Sequence, residues 1–154
     1  MQYIQAAARE EGEGCFLCSY PERGDDEKAL ILGREGLAFV ILNAYPYNPG
    51  HLLVAPFRHV GELGELTDQE VLDTTHLLQR TLRVLGEVVQ PHGYNIGLNL
   101  GRVAGAGVPG HIHMHVLPRW SGDTNFMTTV AETRVLPETA ELTFEKLRKA
   151  FQQK

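Results

Sequence analysis

The sequence is short of several things, and each shortage narrows what the chain does. It has no apolar run near the ~18 residues that a membrane span requires, and no charged-then-apolar leader opens it. A soluble, cytoplasmic protein is the expectation, with no membrane partner. Basic residues are outnumbered, 14 Lys and Arg against 19 Asp and Glu, so the formal net charge is −5. Nonspecific binding to nucleic acid therefore has no electrostatic support, and an anionic ligand must be held by local donors. There are only two cysteines, too few for a disulfide scaffold, and they sit three positions apart as Cys15 and Cys18. No internal repeat and no low-complexity linker breaks up the 154 residues, so one domain spanning 1–154 is expected.

What is present is led by Gly110-His111-Ile112-His113-Met114-His115-Val116-Leu117-Pro118-Arg119-Trp120. Three of the seven histidines fall within five positions and alternate with apolar residues. In a strand, alternate side chains share a face, so His111, His113 and His115 form a row opposite Ile112, Met114 and Val116. Imidazole serves as nucleophile, general acid or base, and metal ligand. A chance cluster of polar residues is the bland alternative.

The other segments sort by period and punctuation. Ala29–Gly33 and Leu37–Leu42 are short apolar runs parted by Arg34-Glu35-Gly36, which reads as a hairpin. Asn43–Gly50 is a loop, and His51–Ala55 is a strand closed by Pro56. Thr67 and Glu70 form a capping box. Behind it Val71, Thr75, Leu78, Leu82, Leu85 and Val89 recur at steps of four and three, predicting a helix of about six turns that Pro91 and Gly93 end. His76 and His92 fall off that stripe and read as solvated. Tyr94–Leu100 alternates, predicting a strand with Ile96, Leu98 and Leu100 toward the core and Asn95, Gly97 and Asn99 on the other face. Gly101, Gly105, Gly107 and Gly110 then bring the chain into the histidine row, a composition that lets backbone amides approach an anion. A short helix is plausible in residues 1–11, an edge segment at Phe126–Val130, and a C-terminal helix over about 137–152, opened by Pro137 and carrying Leu142, Leu147, Ala150 and Phe151.

Cys15 and Cys18 form a zinc half-site by spacing, with inert thiols and a redox pair as the alternatives. Asn99 either donates to a phosphoryl oxygen or binds backbone at a strand end. Trp120 either stacks on a purine or caps the core. His59 on composition alone is a loop residue.

The alternating row from His111 to Leu117 resembles the signature of the histidine triad (HIT) family of nucleotidyl hydrolases and transferases. Asn43 through Pro56 is similar to its first nucleotide-binding stretch. Tyr94–Met127, with Trp120 and Gly122-Asp123-Thr124-Asn125-Phe126, is similar to a branch of bacterial diadenosine tetraphosphate phosphorylases. The resemblance covers roughly residues 14–130. It implies an α+β, HIT-like fold: an antiparallel sheet of about five strands, a long helix and a C-terminal helix. It implies His113 as the nucleophile that forms a nucleotidyl-histidine intermediate, and His115 on the phosphates or the departing oxygen. Asn99 and the amides of Gly105 and Gly107 stabilise charge, Asn43 holds the ribose, and Phe39 and Leu42 bound the base pocket, with His51 and Trp120 also at the substrate. Many members carry Gln or Ser in the loop where this chain has Ala104–Pro109, which moves that role to backbone amides, and often Asp where it has Asn43. The resemblance also implies structural zinc on Cys15, Cys18, His59 and His111, no organic cofactor, and at least a homodimer. The activity implied is cleavage of a dinucleoside polyphosphate by phosphate or water, or of a nucleoside phosphoramidate. Two rivals differ in class. One is a hydrolase whose three triad histidines hold catalytic zinc, disfavoured because such a row spans roughly 13 Å. The other is a noncatalytic, zinc-stabilised nucleotide-binding module.

Overall fold

The computed structural model describes residues 14–123 and 138–153. The expected N-terminal helix, the Phe126–Val130 segment and Pro137 lie outside the described residues. Chain order is α1 (Phe16–Glu22), β1 (Ile31–Glu35), β2 (Ala38–Leu42), β3 (Leu52–Pro56), α2 (Asp68–Val88), β4 (Gly93–Leu98), β5 (Met114–Arg119) and α3 (Ala140–Gln152). The five strands form one antiparallel sheet in the order β1-β2-β3-β5-β4. This is the α+β architecture that the resemblance implied.

Alternation along β2 and β3 divides two apolar layers. Ala38, Val40, Leu42, Leu52 and Val54 face α2 and α3, where Leu77, Val84, Leu85, Phe144, Leu147 and Phe151 complete the larger layer. Phe39, Ile41, Leu53 and Ala55 face the other way, under Leu17 of α1. The β1–β2 turn is tied to α2. Gly36 takes φ +53°, a Cβ there would lie 2.2 Å from Asp73 Oδ2, and the amide of Leu37 donates to that oxygen at 2.8 Å.

The capping box forms as expected: the Glu70 amide donates to Thr67 Oγ1 while the Thr67 amide donates to Glu70 Oε2. The buried face of α2 differs from the expected stripe. It is Glu70, Thr74, Leu77, Thr81, Val84 and Leu85, a row rotated by about one residue, or ~100°. Val71 is 45% exposed and Thr75 is exposed. Two threonines explain the shift. Their short side chains let the helix approach the sheet, and Thr81 Oγ1 donates to Leu77 O at 2.7 Å, so its hydroxyl is buried with a partner. Leu77→Ala should therefore cost about 3 kcal/mol in urea unfolding. Val71→Ala should cost less than about 0.5 kcal/mol, and the reverse ranking would restore the expected stripe.

β4 is also a correction. It is a sheet edge, and Ile96 and Leu100 are each 43% exposed instead of facing the core. Tyr94 of the same strand reaches α2, its hydroxyl donating to Leu82 O at 3.2 Å, whereas Ile96 and Leu100 stay exposed.

Candidate active site and metal centre

β5 pairs with β3 through Leu52↔Val116, Leu53↔His115 and Val54↔Met114. The ladder starts at Met114, three residues after His111, where the alternation begins. Continuing the register would set Ile112 against Pro56, which has no N–H to give. The chain bends to a different partner instead, and the Ile112 amide donates to Val60 O at 2.7 Å. His111, His113 and His115 are all buried, at 0%, 5% and 6% exposure, on the sheet face away from α2. The three rings do not converge on one point, because each turns its Nδ1 to a different neighbour.

His113 Nδ1 lies 2.8 Å from His111 O. A carbonyl only accepts, so Nδ1 carries the proton and the Nε2 lone pair is left over. Burial holds the His113 pKa below 6.5, against a smaller opposing effect of that hydrogen bond, so the ring is neutral near pH 7.

His115 is set by His51. The Tyr47 amide donates to His51 Nδ1 at 3.1 Å, with Asn43 Nδ2 at 3.2 Å from the same atom. His51 Nδ1 therefore accepts, and the proton of this neutral ring sits on Nε2. That Nε2–H points at His115 Nδ1, 2.8 Å away, which must accept. His115 then keeps its own proton on Nε2. Burial first, then the neighbouring His115 and His113, push the His51 pKa down to about 3. Burial and His113 push His115 down to about 4. The chain of bonds thus leaves a lone pair on His113 Nε2 beside an N–H donor on His115. Their ring centroids are 5.1 Å apart.

Beside this pair is a pocket of about 570 Å³, counted to its open mouth. Phe16 and Tyr20 of α1, Ile41, Leu42 and Asn43 at the end of β2, Leu53 opposite His115, and Gly107 and Val108 are among its walls. It is apolar and closed on one side by aromatic rings, as a heterocyclic base requires. Of the expected substrate residues, Leu42, Asn43 and Gly107 are on its wall.

Other expected substrate residues are placed differently. Phe39 is fully buried and stacks on Phe57 at 5.2 Å, so it supports the pocket floor from within the core. His51 is 0% exposed behind His115, with its Nε2 turned to that ring. Asn99 Nδ2 donates to Gly105 O at 3.4 Å, binding backbone, because Gly105 at φ +90° turns that carbonyl back toward the strand end. Gly105's own amide donates to Arg102 O, which removes it as an anion donor. Trp120 is half-buried beyond the end of β5 and lines neither this pocket nor a second one along β5. Sequence reasoning missed Phe16, Tyr20, Ile41 and Leu53. The signal was available: Ile41 and Leu53 follow from extending the His115 face across the sheet, and Phe16 and Tyr20 are four apart on one helical face.

The four expected metal ligands do meet. The ligand atoms of Cys15, Cys18, His59 and His111 all lie within 4.8 Å of one another. His111 Nδ1 is 3.3 Å from Cys15 Sγ and 3.4 Å from Cys18 Sγ, and His59 Nδ1 is 3.3 Å from Cys18 Sγ. Tetrahedral zinc, with Zn–S ~2.3 Å and Zn–N ~2.0 Å, sets such edges at ~3.5 Å, so the residues fit it. His111 Nε2 faces Pro56 O at 2.9 Å, which puts its proton there and frees Nδ1 as a ligand. Burial, with Cys15 alongside, raises the Cys18 thiol to about 11, so a bound cation is what would turn Cys18 into a thiolate. A Cβ on Gly110 would lie 3.1 Å from His59 Nε2, and glycine there keeps the space clear. Because His111 is turned to the thiols and His115 to His51, no three-histidine metal centre is assembled.

Comparison with known proteins agrees with this geometry. A family model described as HIT domain matches residues 25–122. The chain is 48% identical over 113 residues to the AP-4-A phosphorylase of Mycobacterium tuberculosis, covering 73% of this chain and 58% of that protein, so it spans under two thirds of that relative's length. It is 37% identical over 93 residues to the asymmetrical bis(5'-nucleosyl)-tetraphosphatase of Schizosaccharomyces pombe, covering 60% of this chain and 50% of that one. Among solved structures, a Zn-bound histidine triad family protein from Mycobacterium smegmatis superimposes with TM-score 0.65 at 30% identity, covering 80% of this chain and 84% of that one. With its three histidines on one sheet face and a family model matching most of its length, the chain belongs to the HIT family.

Proposed function

We propose that this protein transfers a nucleotidyl group from a dinucleoside polyphosphate, through a covalent adduct on His113, to inorganic phosphate. The carrying observation is the tautomer of His113: with Nδ1–H held by His111 O, the Nε2 lone pair is the atom left to react. The nucleoside sits in the pocket walled by Phe16, Tyr20 and Ile41, with its ribose toward Asn43. His113 Nε2 attacks the α-phosphorus as the P–O bond to the rest of the phosphate chain breaks. The departing oxygen leaves as an anion, steadied by a hydrogen bond from His115 Nε2–H. Phosphate then attacks the adduct, the N–P bond breaks, and His113 recovers its lone pair. From diadenosine tetraphosphate this yields ATP, then ADP. Water as second nucleophile would yield AMP and a proton instead. His51 serves as a positioning residue that keeps the proton of His115 on the outer nitrogen.

The names of the Mycobacterium tuberculosis and Schizosaccharomyces pombe relatives support a dinucleoside tetraphosphate as substrate, and the first supports phosphorolysis. Structural zinc on Cys15, Cys18, His59 and His111 belongs to the same reading, supported by the donor set and by the Zn-bound relative. So does a reducing, cytoplasmic setting, which keeps such thiols available. The single domain and a homodimer complete it, the latter supported by Ile96 and Leu100 exposed on the β4 edge.

Incubating the protein with diadenosine tetraphosphate tests the reading. ADP and ATP should form only when inorganic phosphate is added. AMP and ATP without phosphate would make the protein a hydrolase instead.

A further inference from the structure

The face of β5 that carries the triad does not end at His115. By the two-residue period, Leu117 and Arg119 continue it, with Arg119 Cα roughly 13 Å beyond that of His115. They line a second cavity of about 630 Å³, counted to its open mouth, with Pro46, Tyr47 and Asn48. Tyr47 joins this cavity to the reaction centre, since its ring is stacked on His115 at 6.1 Å and 19°. Across the ladder, Gly97 lies opposite His115 and leaves that position bare, while Asn95 opposite Leu117 turns its amide oxygen to Arg119.

The Arg119 guanidinium is held rigidly. Nε and Nη2 donate to the two carboxylate oxygens of Asp123, and Nη1 donates to Asn95 Oδ1 at 2.6 Å. One N–H on each Nη is left for a further acceptor, and the side chain is 41% exposed. An arginine pre-oriented on a cavity wall suits oxygens of a phosphate chain. The apolar pocket beside His113 has no comparable cation among its walls, and the chain as a whole is acidic.

We propose that this cavity is a leaving-group subsite in which Arg119 binds the phosphoanhydride chain that departs past His115. This rests on the nucleotidyl-transfer reading and adds what recognises the outgoing half of the substrate. Arg119 so placed selects for polyphosphate leaving groups over small ones.

The test compares Arg119→Gln with wild type on two substrates sharing the transferred nucleotide, diadenosine tetraphosphate and adenosine 5'-phosphoramidate. Loss of a charge-assisted contact predicts about tenfold to a hundredfold lower kcat/KM on the tetraphosphate, carried by KM, and less than about twofold change on the phosphoramidate. Calorimetry supplies a readout free of turnover: inorganic tripolyphosphate should bind the variant about tenfold more weakly while AMP binds equally. If the KM for inorganic phosphate rises equally with both substrates, the anion held is the attacking phosphate and the subsite assignment is overturned. Equal losses on both substrates by a variant with unchanged melting temperature overturn it too, as does no loss on either. Leu117→Glu covers a misfolded Arg119→Gln, since it puts a carboxylate in the same cavity without touching the Asp123 pair, and it should show the same selectivity. A wild type that turns over neither substrate yet binds tripolyphosphate through Arg119 sinks the transfer reading and leaves the anion site standing.

Discussion

His113→Ala should abolish turnover, lowering kcat by roughly 10⁴-fold or more, the scale on which enzymes lose rate when the nucleophile is removed. The loss should be confined to chemistry. The pocket walls Phe16, Tyr20, Ile41 and Leu53 do not include His113, so AMP should still bind with an affinity close to wild type. Zinc content should also stay at the wild-type level, because His113 is turned to the His111 carbonyl and not to the thiols. Mass spectrometry of the quenched wild-type reaction should show a nucleotidyl adduct that the variant lacks. Zinc lost with His113 would move the metal into the reaction centre. A wild type that binds AMP but never carries an adduct would make the protein a nucleotide-binding module.

The second large effect is acid destabilisation. His51 has a pKa of about 3 in the fold, against ~6.5 in an unfolded chain. Between those values the unfolded state holds a proton that the folded state refuses. Folding stability is thus untouched well above pH 6.5 and falls by about 1.4 kcal/mol per pH unit below it, the loss levelling off as pH drops through the folded value near 3. His115, pushed to about 4, adds a loss of the same sign over a shorter range. The groups facing His51 are the rings of Tyr47 and His115, with His113 next to them, and the Asn43 amide, none of them a counter-charge. Urea unfolding from pH 7 to 4 should show His51→Gln losing stability less steeply than wild type, by about 1.4 kcal/mol per unit. Parallel slopes would mean that His51 is protonated in the fold. The same depressed values bear on activity: with His113 also held below 6.5, the rate should stay flat through neutrality and drop only on the acid side.

The sequence reading and the structure part at four places, each where a neighbouring group decides. The expected α2 stripe follows the large apolar residues Val71, Leu78, Leu82 and Val89 and admits Thr75 by spacing, whereas the sheet takes the adjacent row with the smaller Thr74 and Thr81. The resemblance gives Phe39 to the base pocket, and alternation does put it on the face of Ile41 and Leu53, but Phe57 stacks on its ring and leaves it fully buried. Ile96 was given to the core on alternation alone, and alternation does not say which strand lies at an edge. Gly105 was given a free amide, but a local turn had already used it.

Local spacing is legible in a chain because the strand period, the capping box and the four-residue helical step are properties of the backbone itself. From them came the hairpin, the helix start at Thr67 and three imidazoles on one side of a sheet. Tertiary structure decided the rest, since it turns on which groups from distant segments meet. The proton on each ring depends on a carbonyl, an amide or another imidazole brought alongside, as Tyr47 and His51 are to His115 and the His111 carbonyl is to His113. Identical imidazoles in a row thereby become a ligand, a nucleophile and a donor, a division made by their neighbours and not by their order.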